Sequence, residues 1–150
     1  MTEKLETLVI LADGVQARGL AERRRHGPLA ELASWSLKAD EADRHLARTH
    51  GGTVTDRVGY GRDNVLEAPP AEAAEKRFLD GVAERINRSA AAGDFERLVL
   101  MAPPRALGVL RQALKPAVAR RIDVTDDHER IKATADEVRV ILRDLRIPDR

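Results

Sequence analysis

Between Arg105 and Arg121 the chain carries five basic residues, Arg105, Arg111, Lys115, Arg120 and Arg121, and no acid. Elsewhere charges of both signs are mixed, with 26 Lys+Arg against 25 Asp+Glu in the whole chain. Arg111 and Lys115 are four positions apart, which puts them on one face of a helix. Arg105 follows two prolines and falls in the first turn of the same helix, beside backbone N–H groups that favour an anion. Together these residues would hold a phosphate or a similar anion. The alternative is a solvated face paired with Asp123, Asp126, Asp127 and Glu129 nearby.

Other reactive side chains form weaker constellations. Asp13 follows an apolar run and precedes Gly14, as a turn residue would. It could also be the first-strand aspartate of a metal nuclease, but magnesium needs two or three further carboxylates on the same edge. Leu98–Pro104 supplies none. His45 and His50 lie in a polar stretch without the cysteines or second histidine pair of a zinc site. GxSxG, GxxxxGK[ST] and GxGxxG are all missing, so serine hydrolysis and nucleotide binding have no support. No catalytic residue, metal or cofactor is expected.

The elements that position these residues follow from hydrophobic spacing. Leu98–Pro104, LVLMAPP, is an unbroken apolar run closed by two prolines, which reads as a strand buried on both faces. Proline ends the ladder there and suits the first turn of the helix over Ala106–Leu114. Thr7–Ala12 reads as a second central strand, Ala17–Glu22 as a weaker one, and Leu29–Leu37 as a third with Leu29 and Trp35 on the same face. Phe78, Val82 and Ile86 recur at helical spacing and predict a long helix over Pro70–Ala92, ended by Gly93. Arg121–Val124 is a short last strand. Thr134 and Glu137 form a capping box at the start of a final helix.

From Lys38 to Pro70 this patterning disappears. The stretch is rich in glycine and reads as a long loop, either functional or disordered. The resulting order predicts one α/β domain over 1–150: an antiparallel three-strand meander plus βαβα, with helices on the faces of a mixed sheet. With 150 residues, no cysteine and 3% aromatics, the chain has room for an aliphatic core but no disulfide scaffold and little base-stacking surface. A net charge of +1 gives no global pull onto nucleic acid or membrane. The polar start, MTEKLET, reads as neither a signal peptide nor a span, so a cytoplasmic protein is expected.

Three stretches carry a family resemblance. LVLMAPPRALGVLRQALKPAV (Leu98–Val118) resembles the most specific motif of the bacterial host-attachment proteins, which reads close to LVLVAPPRTLGxLRxxL. LVILADGVQAR (Leu8–Arg18) is similar to their opening strand and turn. THGGTVTDRVG and the helix from Glu75 fit their middle. The departure is Ile122–Ala135, where His128 stands for the one or two histidines of an acidic-lysine-threonine segment.

This resemblance implies kinship with the middle domain of archaeal and eukaryotic class I release factors, an RNase H-like α/β fold. Their Gly-Gly-Gln loop reaches the ribosomal peptidyl-transferase centre. Here Gly51-Gly52 stand in the matching place, but Thr53 replaces the glutamine, so peptidyl-tRNA hydrolysis is not expected. What the resemblance implies is a non-enzymatic ribosome- or RNA-associated factor. Its phosphate contacts would be Arg48, Gly51, Gly52, Arg57 and Arg62 in the loop, with Arg105, Arg111 and Lys115 on the helix. The competing expectation is a module that binds a protein partner and acts indirectly on surface attachment or stress physiology.

Overall fold

In the computed structural model, residues 3–49 and 70–147 are described. Strands β1 (Leu5–Ala12), β2 (Gln16–Glu22) and β3 (Leu29–Lys38) are followed by helices α1 (Glu41–Thr49) and α2 (Pro70–Ala91). Then come β4 (Phe95–Met101), α3 (Pro104–Ala113), α4 (Pro116–Ala119), β5 (Ile122–Asp126) and α5 (Ala135–Leu145). The five strands form one mixed sheet in the order β3-β2-β1-β4-β5. β1–β2 and β2–β3 are antiparallel, whereas β1–β4 and β4–β5 are parallel.

The proline-ended strand β4 lies inside the sheet, between β1 and β5. Leu98, Val99, Leu100 and Met101 are all fully buried. Alternation divides them between two layers. Leu98 and Leu100 join Leu8, Ile10, Leu79, Val82, Ile86 and Leu110 under α2 and α3. Val99 and Met101 join Val9, Leu11, Leu20, Val138 and Leu142 under α5. A strand covered on both faces must be apolar at successive positions, which is why this segment shows no polar alternation.

Helix ends follow their local chemistry. Thr134 Oγ1 accepts from the Glu137 N–H at 3.1 Å, and Glu137 Oε1 accepts from the Thr134 N–H at 2.8 Å. Gly93 takes φ 79° after α2, with Gly93 N–H bonded to Ala90 O and Asp94 N–H to Ser89 O. That pair of bonds is the Schellman ending, which needs the left-handed conformation glycine accepts readily.

Two expectations are corrected. The segment from Lys38 to Pro70 is not wholly without structure, because α1 occupies Glu41–Thr49. Asp40 caps it by accepting the Asp43 N–H at 2.8 Å, and Glu41 and Asp43 sit in the first turn, where negative charge favours the helix dipole. Asp43 then pairs with Arg77 of α2 at 2.7 Å. In β3, Leu29 and Trp35 face opposite layers, Leu29 under α5 and Trp35 under α2. The cause is an irregularity: Arg18 pairs with Ser36 but Gly19 with Leu32, so extra β3 residues bulge out and shift the alternation. A Cβ on Gly19 would lie 2.5 Å from the Trp35 Cβ, so this glycine makes room for the indole.

Candidate functional site

β1 is the turning point of the topology. The chain leaves it for β2 and β3 on one side, then returns over α2 to β4 on the other. Open α/β sheets place a crevice at such a point, outside the carboxyl ends of the strands. Here that crevice encloses about 530 Å³ between the end of β1 (Asp13, Gly14), the end of β4 (Pro103, Arg105) and Glu75 of α2.

Asp13 holds a tight turn, its Oδ1 accepting the N–H of Val15 at 2.9 Å and of Gln16 at 2.8 Å. Burial pushes its carboxyl above the usual range. The two amides pull the other way, and the carboxylates of Glu129 and Glu75 add to the upward shift. Gly14 leaves space for Glu75, whose Cδ would lie 2.6 Å from a Cβ at that position.

Arg105 sits in the first turn of α3, as its spacing predicts, and its guanidinium bridges α3 to α2. Nη1 donates to Glu72 and Nη2 to Glu75, both at 2.9 Å. The two glutamates are three positions apart on one face of α2, so one planar fork reaches both. The crevice thus holds a half-buried carboxyl raised above its ordinary value and a guanidinium already matched by two carboxylates.

The other basic residues of 105–121 lie away from this crevice. Arg111 is in the last turn of α3, Lys115 is the N-cap of α4, and Arg120 its C-cap. All three are exposed. Asn87 of α2 holds this turn, accepting the Lys115 N–H at 3.1 Å and donating to Ala113 O at 3.2 Å. Arg121 is a structural residue: Nη1 donates to Phe95 O at 2.9 Å and the guanidinium lies over the Phe95 ring.

The acids expected to neutralise this run pair elsewhere. Asp123 accepts from Arg25 and Arg146, and Asp126 contacts His128 and Arg130, both at 2.7 Å. Asp127 faces His128 at 3.2 Å, and Glu129 accepts the Ile131 N–H. Among the described residues, Arg111, Lys115 and Arg120 have no ion pair. Arg105 is thereby separated from Arg111 and Lys115 both in place and in charge balance.

Among the described residues, one group could offer three atoms to a metal: Asp126, Asp127 and His128. Both oxygens of the buried Asp126 are engaged by His128 and Arg130. Burial would raise its carboxyl, but those hydrogen bonds outweigh it and hold the group below its ordinary value. The cluster orders the loop before α5, which is also pinned by Arg18 donating to Ile131 O at 2.6 Å and Ala133 O at 2.8 Å. Asp13 is not part of it. Gly51, Gly52, Arg57 and Arg62 lie outside the described residues; Arg48 is in α1, with its side chain outside them.

Sequence reasoning missed Glu72, Glu75 and Asn87. They lie 33, 30 and 28 positions from their partners, and no local pattern joins them. Only the crossover of α2 onto the same face as α3 brings them together.

Comparison with known proteins adds three findings. A family model described as "Protein required for attachment to host cells" matches residues 8–142. Among solved structures, the chain is similar to an archaeal translation termination factor, with 14% identity and a TM-score of 0.48. That match covers 92% of this chain and 37% of the other. No curated protein matches. Among the described residues, no helix is long and apolar enough to cross a membrane.

Proposed function

This chain belongs to the family of proteins required for attachment to host cells, and we propose that it acts as a non-enzymatic, ribosome- or RNA-associated factor. In this reading Arg111, Lys115 and Arg120 would be its phosphate contacts among the described residues. One observation carries this reading: these three exposed cations have no ion pair among the described residues, while the acids that follow them in the chain, Asp123, Asp126, Asp127 and Glu129, are engaged elsewhere. Pairing with phosphate therefore breaks no internal salt bridge. Asn87 fixes the turn that bears them, so little backbone ordering is needed on binding.

The Gly51-Gly52 segment, with Arg48, Arg57 and Arg62, supplies the second group of contacts in this proposal. Arg105 contributes less, because Glu72 and Glu75 already match its charge. The protein would act at cytoplasmic ribosomes.

Co-sedimentation with purified ribosomes tests the reading. The chain is expected to pellet with ribosomes at low salt and to be released as salt rises. The three contacts of the Arg111–Arg120 turn alone imply a slope of log K against log salt of about −2 for single strands, and the three loop arginines steepen it to about −4. A chain that stays in the supernatant at low salt contradicts the proposal.

A further inference from the structure

At the end of the sheet where β1 and β4 begin, Thr7 pairs with Glu22 on one side and Arg97 on the other, and Leu98 pairs with Ile122. The β2–β3 hairpin tip and the turn that leads from α3 through α4 to β5 therefore share this end. The last turn of α5 joins them, because Arg146 donates to Glu22, Asp123 and Thr7. The hairpin tip carries three consecutive arginines, Arg23, Arg24 and Arg25, followed by His26. Its backbone is fixed: Gly27 N–H donates to Arg24 O at 2.7 Å, and His26 N–H to Glu22 Oε2 at 2.9 Å.

Arg139 of α5 donates to His26 O at 2.9 Å, which lays one stripe of the helix against the tip. That bond engages one N–H and neutralises no charge. Arg143 lies four positions after Arg139 and three before Arg146, hence on the same stripe. Arg24, Arg139 and Arg143 are exposed, and none has an ion pair among the described residues. The acids around them are taken by other cations: Glu3 by Arg23, Glu22 by Arg146, and Asp123 by Arg25 and Arg146. Those without a cation are Asp94, which accepts from Ser89 at 2.8 Å, and Asp136 and Asp144 of α5. Against these three stand six cations without an ion pair: Arg24, Arg139 and Arg143 here, and Arg111, Lys115 and Arg120 on the α3–α4 turn. The opposite end, where β1 and β4 stop, instead gathers Asp13, Glu72 and Glu75, with the acids of 126–129 after β5. A net charge near zero thus conceals a difference in sign between the two ends.

We infer that Arg24, Arg139 and Arg143 form a second contact surface for the RNA phosphodiester backbone, so that RNA lies across this whole end of the sheet. The α3–α4 turn meets it from the layer of α2 and α3, and the tip patch meets it from the layer of α5. Guanidinium forks match phosphate oxygens, and cations without an internal partner reach them with no salt bridge to break. The cations are spread over a hairpin, a helix and a turn rather than gathered in one cavity, which suits a polyanion over a single phosphate. The identity of the partner rests on the ribosomal reading; the patch is a separate set of residues and is tested separately.

Anisotropy of a short fluorescein-labelled RNA in low-salt buffer tests this on the full chain. The tip variant Arg24→Gln/Arg143→Gln is compared with Lys38→Gln/Lys76→Gln, which removes the same charge from exposed positions at the other end. Arg139 is left in place, so the tip keeps its bond to α5. The tip variant is expected to bind at least about tenfold more weakly than this control, with a slope of log K against log salt shallower by about 1.4. Arg24→Gln or Arg143→Gln alone should each flatten the slope by about 0.7, which decides the matter if the pair fails to fold. The inference is overturned if the tip variants bind like the control. It is also overturned if poly-glutamate displaces the labelled RNA as well as unlabelled RNA of equal charge does, since an acidic protein would then be the partner. The two readings fail in different ways. If Arg111→Gln/Lys115→Gln/Arg120→Gln binds like the control while the tip variant is weakened, the turn is not a phosphate contact and the tip patch stands. The reverse pattern overturns the tip patch alone, and a parent protein that binds no RNA at low salt overturns both.

Discussion

Arg146 and Glu22 are 124 positions apart, yet two hydrogen bonds join them in the interior: Nη1 to Oε2 at 2.7 Å and Nη2 to Oε1 at 2.9 Å. Their side chains are 6% and 1% exposed. Arg146 also donates to Asp123 at 2.9 Å, and Glu22 Oε2 accepts the His26 N–H at 2.9 Å. The pair fastens the end of α5 to β2 and β5. Arg146→Ala would leave a buried carboxylate without its cation, a loss expected at about 3–5 kcal/mol. Urea denaturation of the two proteins checks this.

The same pair gives a pH dependence. Burial alone would raise the Glu22 carboxyl, but the hydrogen bonds from Arg146, Thr7 and His26 outweigh it and bring the group down to about 2 from 4.5. A carboxyl lower in the folded than in the unfolded state stabilises the fold above the unfolded value, and that stabilisation is lost as pH falls through the folded value. The contribution, roughly 3 kcal/mol at neutral pH, should therefore decline from about pH 4.5 to about pH 2. Glu22→Gln should lack this part of the acid limb when unfolding midpoints are measured across that window.

Two glycines should respond in opposite directions. Gly19→Ala would place a Cβ 2.5 Å from the Trp35 Cβ, with β2 and β3 both fixed in the sheet. A cost of about 1–3 kcal/mol and a shifted Trp35 emission are expected. Gly81 lies in α2 with nothing within 4 Å of its added Cβ. Gly81→Ala should stabilise the protein by about 0.5–1 kcal/mol, since alanine restricts the unfolded chain and favours helix. Thermal unfolding of both variants distinguishes the two effects.

The capping box at α5 is a further local test. Thr134→Ala removes the acceptor for the Glu137 N–H, and about 1 kcal/mol of stability should go with it. Denaturant midpoints with an unchanged slope would show that only stability has moved.

These same elements mark how far the sequence is legible. Thr134 and Glu137, Gly93 after α2 and the prolines after β4 are signals read within a few residues, and each sits where its chemistry requires. α1 was not legible in the sequence: Asp40 and the acids of its first turn are helix-start signals, but the hydrophobic pattern behind them is too short to set the segment apart from a loop. The face of Trp35 was not legible, because strict alternation does not encode extra residues in one strand. Nor were the partners of Arg105. Whether that arginine is free depends on Glu72 and Glu75, which only the packing of α2 beside α3 brings within reach. A run of like charges in sequence is therefore divided in space, with Arg105 neutralised and Arg121 structural.

The central claim is that the remaining cations meet phosphate, and ribosome co-sedimentation of Arg111→Gln/Lys115→Gln/Arg120→Gln tests it most directly. The three side chains are exposed, so the fold should be unchanged. The account predicts that the parent protein pellets with ribosomes at low salt and that the triple variant is largely lost from the pellet. Equal pelleting of the two proteins would contradict it.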